Sequence, residues 1–117
     1  MQYLLMLTFP EGAGPQEGTP EYDREMENWG KVMGDLRASK AVIGASGLEI
    51  GSATTVRAPG GDVTITDGPY AETKEVLFSF IMLDVEDLDA AIAWAGRTPA
   101  VTYGSVEIHP LDGLQLT

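Results

Sequence analysis

Two stretches of this chain carry apolar residues on both faces of an extended backbone, and this limits its fold more than any other feature. In residues 2 to 9, period-two alternation puts Leu4 and Met6 on one face and Tyr3, Leu5, Leu7 and Phe9 on the other. In residues 76 to 84, Leu77, Ile81 and Leu83 oppose Phe78, Phe80 and Met82. A strand that meets water on one side shows polar residues there, so both stretches are expected inside a sheet that is covered twice.

The rest of the chain supplies one of those covers. After a Gly/Pro-rich loop, Pro10 to Gly18, Thr19 and Pro20 read as the N-cap and first residue of a helix, with Glu21 favourably placed at its positive end. Tyr22, Met26, Trp29, Met33 and Leu36 draw one apolar stripe along it to about Lys40, and Gly30 and Gly34 mark possible points of close packing. Ala41-Val42-Ile43 looks extended, but Gly44, Gly47 and Gly51 leave residues 41 to 53 ambiguous. Thr54 to Arg57 and Asp62 to Thr66, joined by Ala58-Pro59-Gly60-Gly61, read as a hairpin. Residues 86 to 96 form a second helix with Leu88, Ala91, Ile92 and Ala95 facing one way, and Gly104 to Pro110 form the last strand.

The order β-α-β, hairpin, β-α-β predicts a single domain, residues 1–117, with an α+β ferredoxin-like sandwich fold. Two helices cover one face of its sheet. A second copy of the chain covers the other most simply, so the expectation is a homodimer in which two sheets pack into a dimeric α+β barrel.

Charge narrows the partners. A net charge of −11, from 18 acidic and 7 basic residues, repels nucleic acid and anionic membrane, and neither is an expected partner. Residues 62 to 90 contain eight carboxylates and a single base, Lys74, which is therefore expected to have an acidic neighbour. With no cysteine there are no disulfides or thiolate metal sites. The apolar start, Tyr3 to Leu7, has no basic flank and stops at Phe9-Pro10, so it reads as a strand and the protein as cytoplasmic.

Asp67-Gly68-Pro69-Tyr70-Ala71-Glu72-Thr73-Lys74-Glu75 combines sharp-turn chemistry with both signs of charge. This segment resembles the signature of bacterial YCII-related proteins of the DGPF type. The likeness extends to Tyr3-Leu4-Leu5-Met6-Leu7, Thr54-Thr55-Val56-Arg57, Leu83 to Ala91 and Gly104 to Leu111. It implies a dimeric α+β barrel and identifies a family more clearly than an activity. Smaller YciI-type relatives place the histidine of a His-Asp pair at the start of the first helix; here that region is Pro20-Glu21-Tyr22-Asp23, without histidine. Tyr70 stands where phenylalanine is more usual, and His109 where arginine is common.

Each candidate for chemistry has a plainer structural alternative. Asp67 suits a general base or a ligand-orienting carboxylate, or it braces its own turn. Tyr70, Glu72 and Lys74 suit ligand contacts, or else an aromatic plug and a salt-bridged surface. Ser105, Glu107 and His109 share one face of the last strand while Val106 and Ile108 take the other. If the apolar pair faces the helices, Glu107 and His109 face the barrel interior, about 7 Å apart along the strand and able to flank a small substrate. The alternative is a solvated edge strand blunted by charge. No metal or cofactor is expected: the single histidine gives poor metal ligation, and phosphate-loop, dinucleotide and serine-elbow patterns are missing. The pairs Trp29 and Met33, and Trp94 and Met82, read as core or dimer contacts. The leading functional expectation is a dimeric small-ligand-binding or accessory protein. One alternative is a small lyase or isomerase, with Asp67 or Glu107 moving a proton and Tyr70, Lys74 or His109 steadying charge; another is a regulatory module that binds a protein.

Overall fold

Thr19 and Asp87 set the starts of the two helices. The Thr19 hydroxyl accepts the Tyr22 N–H at 3.2 Å, with Pro20 at the first turn of α1 (Pro20–Ser39). The Asp87 carboxylate accepts the Ala90 N–H at 2.9 Å at the start of α2 (Leu88–Arg97). Each bond satisfies a backbone donor that the helix itself leaves unpaired. The computed structural model describes residues 1–68 and 74–113.

The strands are β1 (Gln2–Pro10), β2 (Val42–Gly47), β3 (Thr54–Arg57), β4 (Thr64–Asp67), β5 (Glu75–Asp84) and β6 (Ser105–Pro110). Four form an antiparallel sheet in the order β2-β5-β1-β6; β3 and β4 pair separately as a hairpin. The fold is mixed α+β, and the ambiguous segment after α1 resolves into edge strand β2. The two doubly apolar stretches occupy the two central positions, as their patterning requires. Tyr3, Leu5 and Leu7 of β1 and Ile81 and Leu83 of β5 are buried against Val32 and Leu36 of α1 and Ala91 and Ala95 of α2. Both helices therefore cover the same face. Leu4, Met6, Phe80 and Met82 lie on the opposite face and are only half-buried within the subunit.

Three local expectations change. In β5 the pairing passes from Leu7↔Ser79 to Thr8↔Leu77, so Phe78 is an extra, bulged residue. The bulge reverses the alternation: Phe78 turns to the helix side beside Phe9, and Leu77 falls with Thr8 on the open side. In α1 the buried stripe centres on Leu36 and includes Val32, and Met26 is 49% exposed, because Leu36 lies angularly between Trp29 and Val32 while Met26 falls on the far side of Trp29. In α2 the small Ala91 and Ala95 bring the helix onto the sheet with Trp94 beside them, leaving Leu88 and Ile92 exposed. An added Cβ at Gly30 or Gly34 would meet nothing within 4 Å, so neither marks a close contact inside the subunit.

Gly104, by contrast, is required. A Cβ there would collide with the Thr8 carbonyl, so only glycine lets β6 turn in beside β1. The β3–β4 hairpin extends from this body with Val56 and Ile65 facing each other across it, both exposed. The radius of gyration, 16.1 Å, exceeds the value of about 13 Å expected for a compact chain of this length.

Candidate functional site

The bulge in β5 builds one wall of a pocket. By turning Phe78 toward the helices it creates a row of rings: Trp29 meets Phe78 edge-on with centroids 6.4 Å apart, Phe78 lies 5.0 Å from Phe9, and Phe9 lies 6.3 Å from Tyr103. Tyr22 and Met26 from α1, Gly14 and Pro15 from the first loop, and Ser79 from β5 complete a cleft of about 360 Å³. That size sits near the small end of ordinary small-molecule sites, and the lining is largely apolar, as such sites require.

A hydrogen-bonded polar pair is set in the aromatic wall, which also carries the hydroxyl-bearing Tyr22 and Ser79. The Tyr103 hydroxyl donates to Glu25 Oε2 at 2.9 Å, joining the segment before β6 to the second turn of α1. Burial holds the Tyr103 phenol well above the ordinary tyrosine range, and the hydrogen bond to Glu25 and that carboxylate's charge push it the same way. Tyr103 is thus a neutral donor across the physiological range, and its single proton is committed to Glu25. The loop closes on this ring through Gly14, which has φ +90° and whose added Cβ would stand 2.7 Å from the Tyr103 ring. A side chain at residue 14 would therefore be strained twice, by backbone and by space.

The open face of the sheet holds a second carboxylate pair. Val106 and Ile108 pack toward the helices, which places Ser105, Glu107 and His109 on the helix-free side opposite Thr8, Met6 and Leu4. Thr8 Oγ1 and Ser105 Oγ are 3.1 Å apart, and His109 Nε2 lies 3.3 Å from Glu107 Oε1. The side chains meet each other instead of standing about 7 Å apart to flank a substrate. Within one subunit β6 is an edge strand, and the Glu107 side chain is 71% exposed.

The remaining predicted residues are scattered or undescribed. Asp67 ends β4 on the hairpin, exposed, opposite Thr54, and Gly68 is fixed by its N–H to the Ala53 carbonyl and its own carbonyl to Thr55 Oγ1. Lys74 is exposed at the start of β5, its carbonyl accepting the Glu11 N–H at 2.6 Å. Tyr70 and Glu72 lie outside the described residues. No hydrogen bond or ion pair among the described residues joins Asp67 or Lys74 to Glu107 or His109. Among the described residues no three histidine or acidic side chains converge as a metal site, and no helix is long and apolar enough to cross a membrane.

The sequence does not single out Glu25 or Tyr103, and it reads Trp29 as a core or dimer contact. A usable signal was present: Glu25 lies at the i+3 position between Tyr22 and Trp29, on the face that turns inward, and an acidic residue seldom occupies such a position without a partner.

Comparison with known proteins adds the lineage. A family model described as YCII-related domain matches residues 1–112. Among curated proteins, Uncharacterized protein R00369 of Rhizobium meliloti (strain 1021) is 39% identical over 64 residues, which make up 51% of this chain and 50% of that protein. The match thus spans half the length of that relative.

Proposed function

Because the chain belongs to the YCII-related family and carries a pocket with aromatic walls on the helix side of its sheet, we propose that it is a small-ligand-binding protein. The observation that carries this reading is the cleft of about 360 Å³ between α1, β1 and β5, with the Glu25–Tyr103 pair set in its wall. Apolar rings supply most of the contact area, and one polar pair orients what enters. The strand order and the two helical crossovers suit a ferredoxin-like sandwich. In this reading two copies pack through Leu4, Met6, Phe80 and Met82 into a dimeric α+β barrel, leaving the helix-side cleft of each subunit open.

A fragment screen followed by thermal unfolding tests this. Hits should raise the melting temperature of the native protein, and Trp29→Ala should abolish the shift while Trp94→Ala, outside the cleft, retains it. Hits that stabilise the Trp29→Ala variant equally would place the ligand elsewhere.

The 3.3 Å contact of His109 with Glu107 favours one second reading, proton transfer within the barrel interior by a carboxylate–imidazole pair of a small lyase or isomerase. It depends on dimerisation, since only a second sheet would enclose that pair. Turnover of a bound fragment that is lost in His109→Gln would support it; turnover that survives the substitution would dismiss it.

A further inference from the structure

Resting on the pocket reading above, we infer that the helix-side cleft selects organic ammonium ions, a protonated amine seated against Glu25 with its apolar body among Trp29, Phe78, Phe9 and Tyr103.

Three observations converge on that class. Glu25 is the only carboxylate among the described residues of the cleft wall, and none of those lining residues is lysine, arginine or histidine. The nearest cation on α1, Arg24, is paired with Glu21 at 3.7 Å and lies outside the wall. An anionic ligand would thus meet a carboxylate and no compensating charge, at a cost that grows as the cleft excludes water.

The second observation is the use of Glu25's oxygens. Tyr103 donates to Oε2, and no described group donates to Oε1, so one acceptor stays available for an N–H of the ligand. Tyr103 cannot serve an acceptor on the ligand while its proton is held by Glu25. The Glu25–Tyr103 pair therefore asks for a donor.

The third is the rings themselves. Aromatic faces are negative and attract a cation within about 6 Å of the ring centre. Four rings spaced 5.0 to 6.4 Å between successive centroids line the same cleft. A charge-assisted N–H to carboxylate bond and a cation–π contact reinforce each other only for a ligand that is both cationic and apolar. The net charge of −11 adds an unspecific attraction for any cation, and the test must separate the two.

Three probes of one shape do so: benzylammonium, benzyl alcohol and benzoate, titrated at pH 7.5 by calorimetry into the full chain. Benzylammonium should bind about tenfold tighter than benzyl alcohol, and benzoate weakest. Glu25→Gln should erase the preference for the cation while keeping the alcohol's affinity. Glu107→Gln removes the same unit of charge from the opposite face and should leave the order intact. Tyr103→Phe frees Glu25 of its internal donor and should preserve the preference, which guards against misreading a Glu25→Gln variant that folds poorly. Equal binding of all three probes, or a preference that survives Glu25→Gln, would overturn the ammonium assignment and leave the pocket reading standing. Failure of all three to bind at millimolar concentration would overturn both.

Discussion

Glu25 and Glu107 each meet a single aromatic partner, but on opposite faces of one sheet and in opposite surroundings. Glu25 reaches Tyr103 inside a cleft that one subunit builds alone, and the phenol's acidity registers that burial. Glu107 reaches His109 on an open surface, where water screens the pair to about 0–1 kcal/mol. The contrast separates a site that one chain completes alone from a pair that one chain leaves on an open surface.

Substitutions on the two faces should separate accordingly. The largest effect is expected from Met6→Asp on the open face. In the proposed pairing of two sheets, a charge buried there unpaired costs about 3–5 kcal/mol, so sedimentation of this variant should show a folded monomer with unchanged circular dichroism where the native chain sediments as a dimer. Its neighbour Leu5, 1% exposed on the helix face, should behave differently: Leu5→Ala should lower unfolding stability by about 2–5 kcal/mol in urea titrations. If Met6→Asp unfolds the chain as Leu5→Ala does, the two faces are not distinct.

Alkaline pH probes the cleft. The Tyr103 phenol has a folded-state pKa above its unfolded value of 10.0, so the folded state retains a proton that the unfolded state loses. Stability should therefore hold below pH 10 and fall as pH rises beyond it, with a limiting slope of about 1.4 kcal/mol per pH unit from this group. Tyr103→Phe should remove that component of the slope. Glu25→Gln should keep part of it, because burial, the leading cause, remains. The smallest effect is expected from His109→Gln, within about 1 kcal/mol and weakened further by salt. A larger loss would mean that the open-face pair is enclosed and matters more than its exposure in one subunit suggests.

How much of this was legible in the sequence follows from where each residue's role is decided. The central strands were readable because alternation is local, and Leu5 against Met6 already defines two greasy faces. The Thr19 cap is local too, as side chain and backbone donor lie three residues apart; Asp87, placed by the sequence inside the second helix, instead caps it. The bulge at Phe78 was not readable, because it arises from pairing with Thr8, far away in the chain, and it moves an aromatic ring from one face to the other. The cleft depends on that ring and on Tyr103 reaching back 78 residues to Glu25, a contact with no sequence period. Glu107 and His109 were readable as sharing a face, but their mutual contact was set by side-chain rotamers that alternation does not specify.

Nuclear magnetic resonance of isotope-labelled protein, titrated with a fragment that stabilises it, tests the helix-side assignment most directly. Backbone shifts concentrated at Gly14, Glu25, Gly47 and Ser79 are the predicted result, with Glu107 and His109 unmoved. Shifts concentrated along Ser105, Glu107 and His109 would place the ligand on the open face and contradict the account.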